Sequence, residues 1–220
     1  MIKPATFDFL KDLVKNNNRE WFQENKQRFE DAKENVTAFA GELIKEIKKG
    51  DPTINADIDP KKCVMRIYRD IRFRIDKTPY KNNFGIHRLA SGTKTAEIGY
   101  YVQIQPGNSF AGGGYWMPEA EYLKAIRQEI DYNADDLKKI IDAPHFKKLF
   151  GEFRDQEQLK SMPRGYDPEG ENIDLLKLKS FAAIHQFTDA EMMKPNLPQL
   201  VAGVLANIYP LTVFLNNAIT

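Results

Sequence analysis

The segment EIGYYVQIQPGNSFAGGGYWMP, residues 97–118, indicates two antiparallel strands in succession. In its first half, Ile98, Tyr100, Val102 and Ile104 share one parity, while polar or amphipathic side chains share the other. The connection between the two halves is too short for a crossover helix. We therefore expect an antiparallel meander with one apolar face.

Further strands are predicted on both sides of this meander. Between Val64 and Phe73 the period is also two, and an apolar set alternates with a polar and basic set. The segment FGIHRLA, residues 84–90, is a plausible next strand, and a late strand is expected near 175–187. The apolar face predicted for the first of these strands consists of Met65, Ile67, Ile71 and Phe73.

Helices are predicted at both ends of the chain. A first short helix, capped by Thr6, is followed by a long amphipathic helix over residues 21–47 that bends near Lys26. An apolar helix over residues 197–219 closes the chain despite an internal proline. The apolar face of the first helix is expected to contain Phe7, Leu10 and Val14.

These elements together predict an α+β fold in a single domain, residues 1–220. An antiparallel or mixed sheet from about 62–116, joined by the late strand near 175–187, would be packed by the N-terminal and C-terminal helices.

The composition is typical of a folded soluble protein, with 42% hydrophobic and 29% charged residues among 220. No run reaches the roughly 20 apolar residues that span a bilayer, and the N-terminus lacks the apolar core of a secretory signal. Cys63 is the single cysteine, so no internal disulfide can form. We expect a cytoplasmic protein with no membrane partner.

Several familiar chemistries are disfavoured. His87, His145 and His185 lack a second ligand at metal-binding spacing, so no metal site is expected. Cys63 has no nucleophile motif around it. The run Gly112–Gly114 is not followed by Lys-Ser or Lys-Thr, and acidic residues open the next helix. A close approach of two backbones explains these glycines better than a phosphate loop does.

The stretch RIYRDIRFRIDKTPYK, residues 66–81, contains six basic residues and two tyrosines. Nine basic and two acidic residues lie between Lys61 and Arg88, so this segment carries a charge of +7. The remainder carries −6, because the whole chain has a net charge of +1. The cluster binds an anion, or it forms internal ion pairs with acidic residues such as Glu119, Glu121, Glu129 and those of the loop from Asp167 to Asp174.

Five motifs resemble, in the same order, the uncharacterised bacterial family called domain of unknown function 2461. They read NNNREWFQENK, MRIYRDIRFRIDKTPYKNN, GYYVQIQPGNSFAGGGYWMP, MPRGYDPE and LLKLKSF. The resemblance runs from Phe7 to about Leu215, and Arg74 stands where family members often carry a small polar residue. The family implies no reaction, but its motif residues are mostly polar, basic and aromatic, which is typical of a site.

The basic stretch and the family motifs together predict a pocket for an anionic small molecule that carries a phosphate or carboxylate group. If the protein is an enzyme, Asp70 or Asp76 is the candidate general base, and phosphoester hydrolysis is the simplest reaction. The predicted ligand-binding residues are Arg66, Arg69, Arg72, Lys77, Tyr80, Lys81, Trp116, Arg164, Tyr166 and Lys177.

Two alternatives from other functional classes remain. A nucleic-acid-binding or nuclease-like protein would use the same basic strand, with Tyr80 and Trp116 stacking on bases. A protein-interaction module would instead use the helical C-terminal half as its partner surface. The sequence indicates no cofactor, ligand identity or oligomeric state.

Overall fold

A four-stranded antiparallel sheet lies at the centre of the structure. The computed structural model describes the chain except residues 56, 74, 91–97, 152–157 and 168 and the side chains of Arg88 and Ala90. The strands follow one another in the order β1-β2-β3-β4, and each neighbouring pair is antiparallel. They are β1 (Phe84–Ala90), β2 (Gly99–Ile104), β3 (Ser109–Tyr115) and β4 (Phe181–Phe187).

The predicted meander is confirmed in β2 and β3. Tyr100, Val102 and Ile104 are buried, as the alternation in β2 requires, while the residues between them are half-buried. Gly114 has a φ of 117°, and a Cβ atom there would collide with the carbonyl oxygen of Phe181. The glycine run therefore allows two strands to approach closely, as the sequence indicated.

Four helices precede the sheet among the described residues. The predicted bend near Lys26 is confirmed, because Asn25 separates a six-residue helix from a helix of 25 residues. The side chain of Asn18 caps the shorter helix by accepting a hydrogen bond from the Trp21 N–H. These helices are α1 (Pro4–Lys15), α2 (Arg19–Glu24), α3 (Lys26–Gly50) and α4 (Pro60–Cys63).

Two details predicted for the first helix are wrong. Helix α1 begins at Pro4, so Thr6 lies inside it and donates a hydrogen bond to Asn35 Oδ1 at 2.9 Å rather than capping the helix. Val14 is 57% exposed, and Leu13 takes the buried position instead. The helix starts three residues earlier than expected, with Lys3 rather than Thr6 at the N-cap, because a proline suits its first turn.

The C-terminal half is mostly helical and covers the sheet. Helices α9 and α10 both contact β3, α9 also packs on α3, and α10 packs on α5. Helices occur in the chain both before and after the first three strands, and the strands form one antiparallel sheet, so the α+β prediction is confirmed. The helices are α5 (Ala120–Ile141), α6 (Pro144–Phe150), α7 (Ile173–Leu176), α8 (Asp189–Met192), α9 (Leu197–Ala206) and α10 (Tyr209–Ala218).

Two predicted C-terminal elements are shorter than expected. The late strand begins at Phe181, because α7 and a turn occupy the residues before it. The closing helix over 197–219 is two helices that meet at 46°, with Pro210 in the first turn of the second. Within the described part of the chain, no single helix could cross a membrane, although this bent pair has the necessary length and composition.

The strand predicted between Val64 and Phe73 is wrong. Only isolated bridges occur there, from Val64 to Ile86 and from Tyr68 to Tyr80. Beyond these bridges Asp70 accepts a hydrogen bond from the backbone of the residue two positions on, which bends the chain out of an extended conformation. Phe73, expected in the core, is consequently 95% exposed.

Candidate anion-binding site

Residues 66–81, here named the cationic hairpin, fold back on themselves beside the free edge of β1. The Met65 N–H donates to the Gly85 carbonyl at 2.8 Å, which anchors the incoming chain to the sheet. The two legs of the hairpin are then joined by backbone hydrogen bonds from Lys81 N to Ile67 O at 2.7 Å and from Arg69 N to Pro79 O at 2.9 Å. The fold thus projects most of the basic stretch away from the sheet.

Tyr80 fixes the base of the cationic hairpin. Its ring is 3% exposed and stacks on Phe22, with ring centroids 4.0 Å apart. The Asn17 amide donates to the Tyr80 carbonyl at 3.0 Å and accepts from the Tyr80 N–H at 3.1 Å, as a neighbouring strand would. Burial raises the pKa of the Tyr80 phenol. This tyrosine is therefore a packing residue.

Two arginines of the cationic hairpin form ion pairs within it. Arg69 Nη1 lies 2.5 Å from Asp76 Oδ2 and also contacts the Thr78 hydroxyl. Arg72 binds Asp70 with two hydrogen bonds, Nε to Oδ1 at 3.0 Å and Nη2 to Oδ2 at 2.6 Å. The ion-pair interpretation therefore holds for these two arginines. Their acids are Asp76 and Asp70 of the cationic hairpin itself, which the sequence indicated as partial compensation beside more distant acidic residues.

Asp76 organises the outgoing leg. Its Oδ1 accepts hydrogen bonds from the Thr78 N–H at 2.9 Å and the Thr78 hydroxyl at 2.8 Å. These bonds, together with Arg69, hold the pKa of Asp76 at about 2. A carboxylate with so low a pKa is a weak general base at neutral pH. Lys77 donates to the carbonyls of Ile71 at 3.0 Å and Arg72 at 3.5 Å, so it closes the loop.

Lys81 and Arg66 are described residues of the cationic hairpin without an ion pair, as is Lys77, which is instead bound to two backbone carbonyls. Burial, and then the nearby Arg66, lower the pKa of Lys81. Neither side chain has an ion pair within the described residues, in contrast to Arg69 and Arg72. Lys81 lines an open cleft of about 390 Å³ together with Arg69, Asp70 and Phe73. We name this space the Lys81 cleft.

The remaining predicted residues lie at another corner of the sheet. Trp116 follows the end of β3 and is 66% exposed. The next residue, Met117, has a φ of 49°, and its N–H donates to Ser180 Oγ at 3.0 Å. Tyr166 and Lys177 belong to the segment that leads into β4, and Arg164 is exposed beside them in sequence.

The strand register separates these two groups. The cationic hairpin leads into the Phe84 end of β1, which is one edge of the sheet. Trp116 follows Tyr115, which pairs with Phe181 on the opposite edge and at the opposite end. Two strand spacings, from β1 to β3, and about six residues of rise separate the Phe84 and Tyr115 corners by roughly 20 Å. The structure thus does not bring the ten predicted residues into one pocket.

Sequence reasoning missed residues that shape both corners. Asn17 and Phe22 hold the hairpin base, and they fall in the motif NNNREWFQENK, but neither is among the predicted site residues. Arg127, on α5, donates to the carbonyls of Leu176 at 2.7 Å and Leu178 at 3.1 Å and lies near Tyr166. Nothing in the spacing of α5 singled out this arginine.

The described residues offer no obvious catalytic centre. Within them, no group of three or more His, Cys, Asp or Glu side chains could hold a metal ion. Asp70 and Asp76, the candidate bases, are both engaged with arginines. Arg74, expected to make this face more basic, lies outside the described residues. The arrangement is better suited to holding an anion than to proton transfer.

Comparisons with known proteins agree with the sequence motifs. A family model described as "Conserved hypothetical protein (DUF2461)" matches residues 5–214. The resemblance noted from the five motifs is therefore confirmed. No curated protein and no solved structure shows significant similarity to the chain.

Proposed function

Because the chain belongs to the DUF2461 family, whose description names no reaction, we propose a function from the site: the Lys81 cleft binds the phosphate or carboxylate group of an anionic small molecule. Lys81 and Arg69 line the cleft and supply positive charge, and Arg66 lies near Lys81. Asp70 also lines the cleft, but its carboxylate is bound by Arg72. According to this proposal, the protein is a binding protein.

The observation that supports the proposal is that neither Lys81 nor the nearby Arg66 forms an ion pair within the described residues, although Asp70, which Arg72 binds, lines the same cleft. Lys81 is half-buried, and its lowered pKa shows that its surroundings disfavour the ammonium form. Two nearby positive charges repel each other, and an anion between them would relieve both the repulsion and part of the desolvation. Arg72, in contrast, is already neutralised by Asp70.

The alternatives have less support. Stacking of Tyr80 on a base would require its ring to leave Phe22, and Trp116 lies at the distant corner of the sheet. Hydrolysis would need a base other than the ion-paired Asp70 and Asp76. No observation favours the interaction-module alternative. A cytoplasmic location, which agrees with a single cysteine, is part of the proposal.

The test is a thermal-shift and calorimetric titration with inorganic phosphate, pyrophosphate and citrate. The double variant Arg66→Gln/Lys81→Gln is compared with wild type, and Lys139→Gln is the matched control because it removes an ion-paired cation outside the cationic hairpin. We expect the anions to stabilise the wild type and the control but not the double variant. Equal stabilisation of all three proteins, or of none, would rule the proposal out.

A further inference from the structure

Two apolar side chains stand fully exposed at the tip of the cationic hairpin. Phe73 is 95% exposed and Ile75 is 103% exposed, and one residue separates them. Single exposed apolar residues are common on soluble proteins. Two at the apex of one projecting hairpin, with the exposed Arg72 and Lys77 on either side, form a more specific feature. We name Phe73 and Ile75 the apolar tip.

The apolar tip adjoins the proposed anion site. Phe73 lines the Lys81 cleft together with Lys81, Arg69 and Asp70, so a half-buried lysine and an exposed aromatic ring border the same space. A ligand that fills this space would meet positive charge at one end and an apolar surface at the other. This chemistry matches an amphiphile with an anionic head group and an acyl chain.

The cationic hairpin is braced without help from its tip. The Arg69–Asp76 and Arg72–Asp70 ion pairs join residues within it, and Lys77 binds two backbone carbonyls across the loop. The stacked Tyr80 holds its base. Ile75 takes no part in these contacts, and the described contact of Phe73 within the cationic hairpin is a long one, with the Arg72 guanidinium 5.9 Å from the ring centroid. A structural role within the hairpin therefore does not explain the exposure of both side chains.

We propose that the cationic hairpin docks on an anionic lipid bilayer. Phe73 and Ile75 enter the head-group region, Lys81 in the Lys81 cleft and the nearby Arg66 hold a lipid phosphate, and Lys77 faces the negative surface. This proposal rests on the proposed function, because it identifies the anion as a lipid head group. The expectation of no membrane partner rested on the lack of a spanning segment, and docking at a surface does not require one.

A lipid surface fits the tip better than other partners do. A stable protein interface buries about 800 Å² on each side, which is far more than two side chains offer. Nucleic-acid bases stack on aromatic rings, but the branched Ile75 has no flat face for stacking. An anionic bilayer accepts both apolar side chains at once and complements the surrounding positive charge.

The experiment is co-sedimentation of the full chain with vesicles of phosphatidylglycerol mixed with phosphatidylcholine, and with vesicles of phosphatidylcholine alone. The variant is Phe73→Ser/Ile75→Ser. Tyr132→Ser is the matched control, because Tyr132 is 74% exposed on α5 and lies outside the cationic hairpin. Binding of inorganic phosphate and of a monomeric short-chain phosphatidylglycerol is measured on the same proteins by calorimetry.

We expect the wild type and Tyr132→Ser to bind only the anionic vesicles, and the double variant to bind them about tenfold more weakly while it still binds phosphate. If the wild type binds phosphate but no vesicles, or binds the short-chain lipid but no vesicles, the docking proposal is wrong and the proposed function stands. If it binds neither phosphate nor vesicles, both proposals are wrong. Binding of a single-stranded oligonucleotide that depends on Phe73, without vesicle binding, would also overturn docking.

Discussion

The substitution Asn17→Ala should destabilise the protein and loosen the proposed site together. The Asn17 side chain makes two hydrogen bonds, at 3.0 and 3.1 Å, to the backbone of Tyr80. Tyr80 is 3% exposed, so water has little access to the groups left unpaired. A buried polar group without a partner costs about 1–3 kcal/mol, so the free energy of unfolding should fall by about 2–4 kcal/mol.

Urea unfolding followed by circular dichroism measures this loss, and Asn16→Ala is the matched control. The Asn16 amide makes one hydrogen bond, to the Asp12 carbonyl at 3.0 Å, so its removal should cost about 0.5–1.5 kcal/mol. Phosphate affinity should fall in Asn17→Ala because the hairpin base loses its clamp. A loss for Asn17→Ala no larger than for Asn16→Ala would refute this account of how the cationic hairpin is held.

Three further predictions concern the core, the sheet and the site. Tyr100→Phe removes the buried hydrogen bond to Asp51 at 2.8 Å and should lower the free energy of unfolding by about 1–3 kcal/mol, and an unchanged value would contradict that bond. Gly114→Ala should lower the free energy of unfolding by more than about 3 kcal/mol, because its φ is 117° and the Phe181 carbonyl occupies the space of a Cβ. Gly203→Ala, on an open helix surface, should raise the free energy of unfolding slightly in the same urea-unfolding measurement. Phosphate affinity, measured by calorimetry, should fall as pH rises through the lowered pKa of Lys81. The variant Lys81→Arg should remove this decline, because arginine stays charged. A decline that persists in the variant would show that a group other than Lys81 causes it.

Local sequence patterns correctly predicted the elements whose burial or interruption depends on neighbouring residues in the chain. The alternation in β2 was correct because one face of that strand packs against the helices, so parity and burial coincide. The bend near Lys26 was correct because Asn25 interrupts the helix at that point. Both features depend on residues that are close in sequence.

The segment from Val64 to Phe73 shows where such reasoning fails. Its alternation is as regular as that of β2, but a strand also needs a continuous partner, and only two isolated bridges are available to it. The side chain of Asp70 offers the backbone a competing hydrogen bond. A period of two therefore predicted a strand in a segment that folds as a hairpin.

The candidate site was predicted in part for similar reasons. The charge excess located the cationic hairpin correctly, because charge density is a local property of the sequence. Which cations remain unneutralised depends on geometry, and pairing removed Arg69 and Arg72 but not Arg66 or Lys81. The distance between Lys81 and Trp116 follows from strand register, which a list of motifs does not contain.

The most direct test of the anion site is the pKa of the Lys81 ammonium group, measured by NMR with and without phosphate. The pKa of Lys81 should lie below the ordinary lysine value in the free protein and should rise toward that value when phosphate binds. A Lys81 pKa that phosphate leaves unchanged would contradict the claim that this cleft binds an anion.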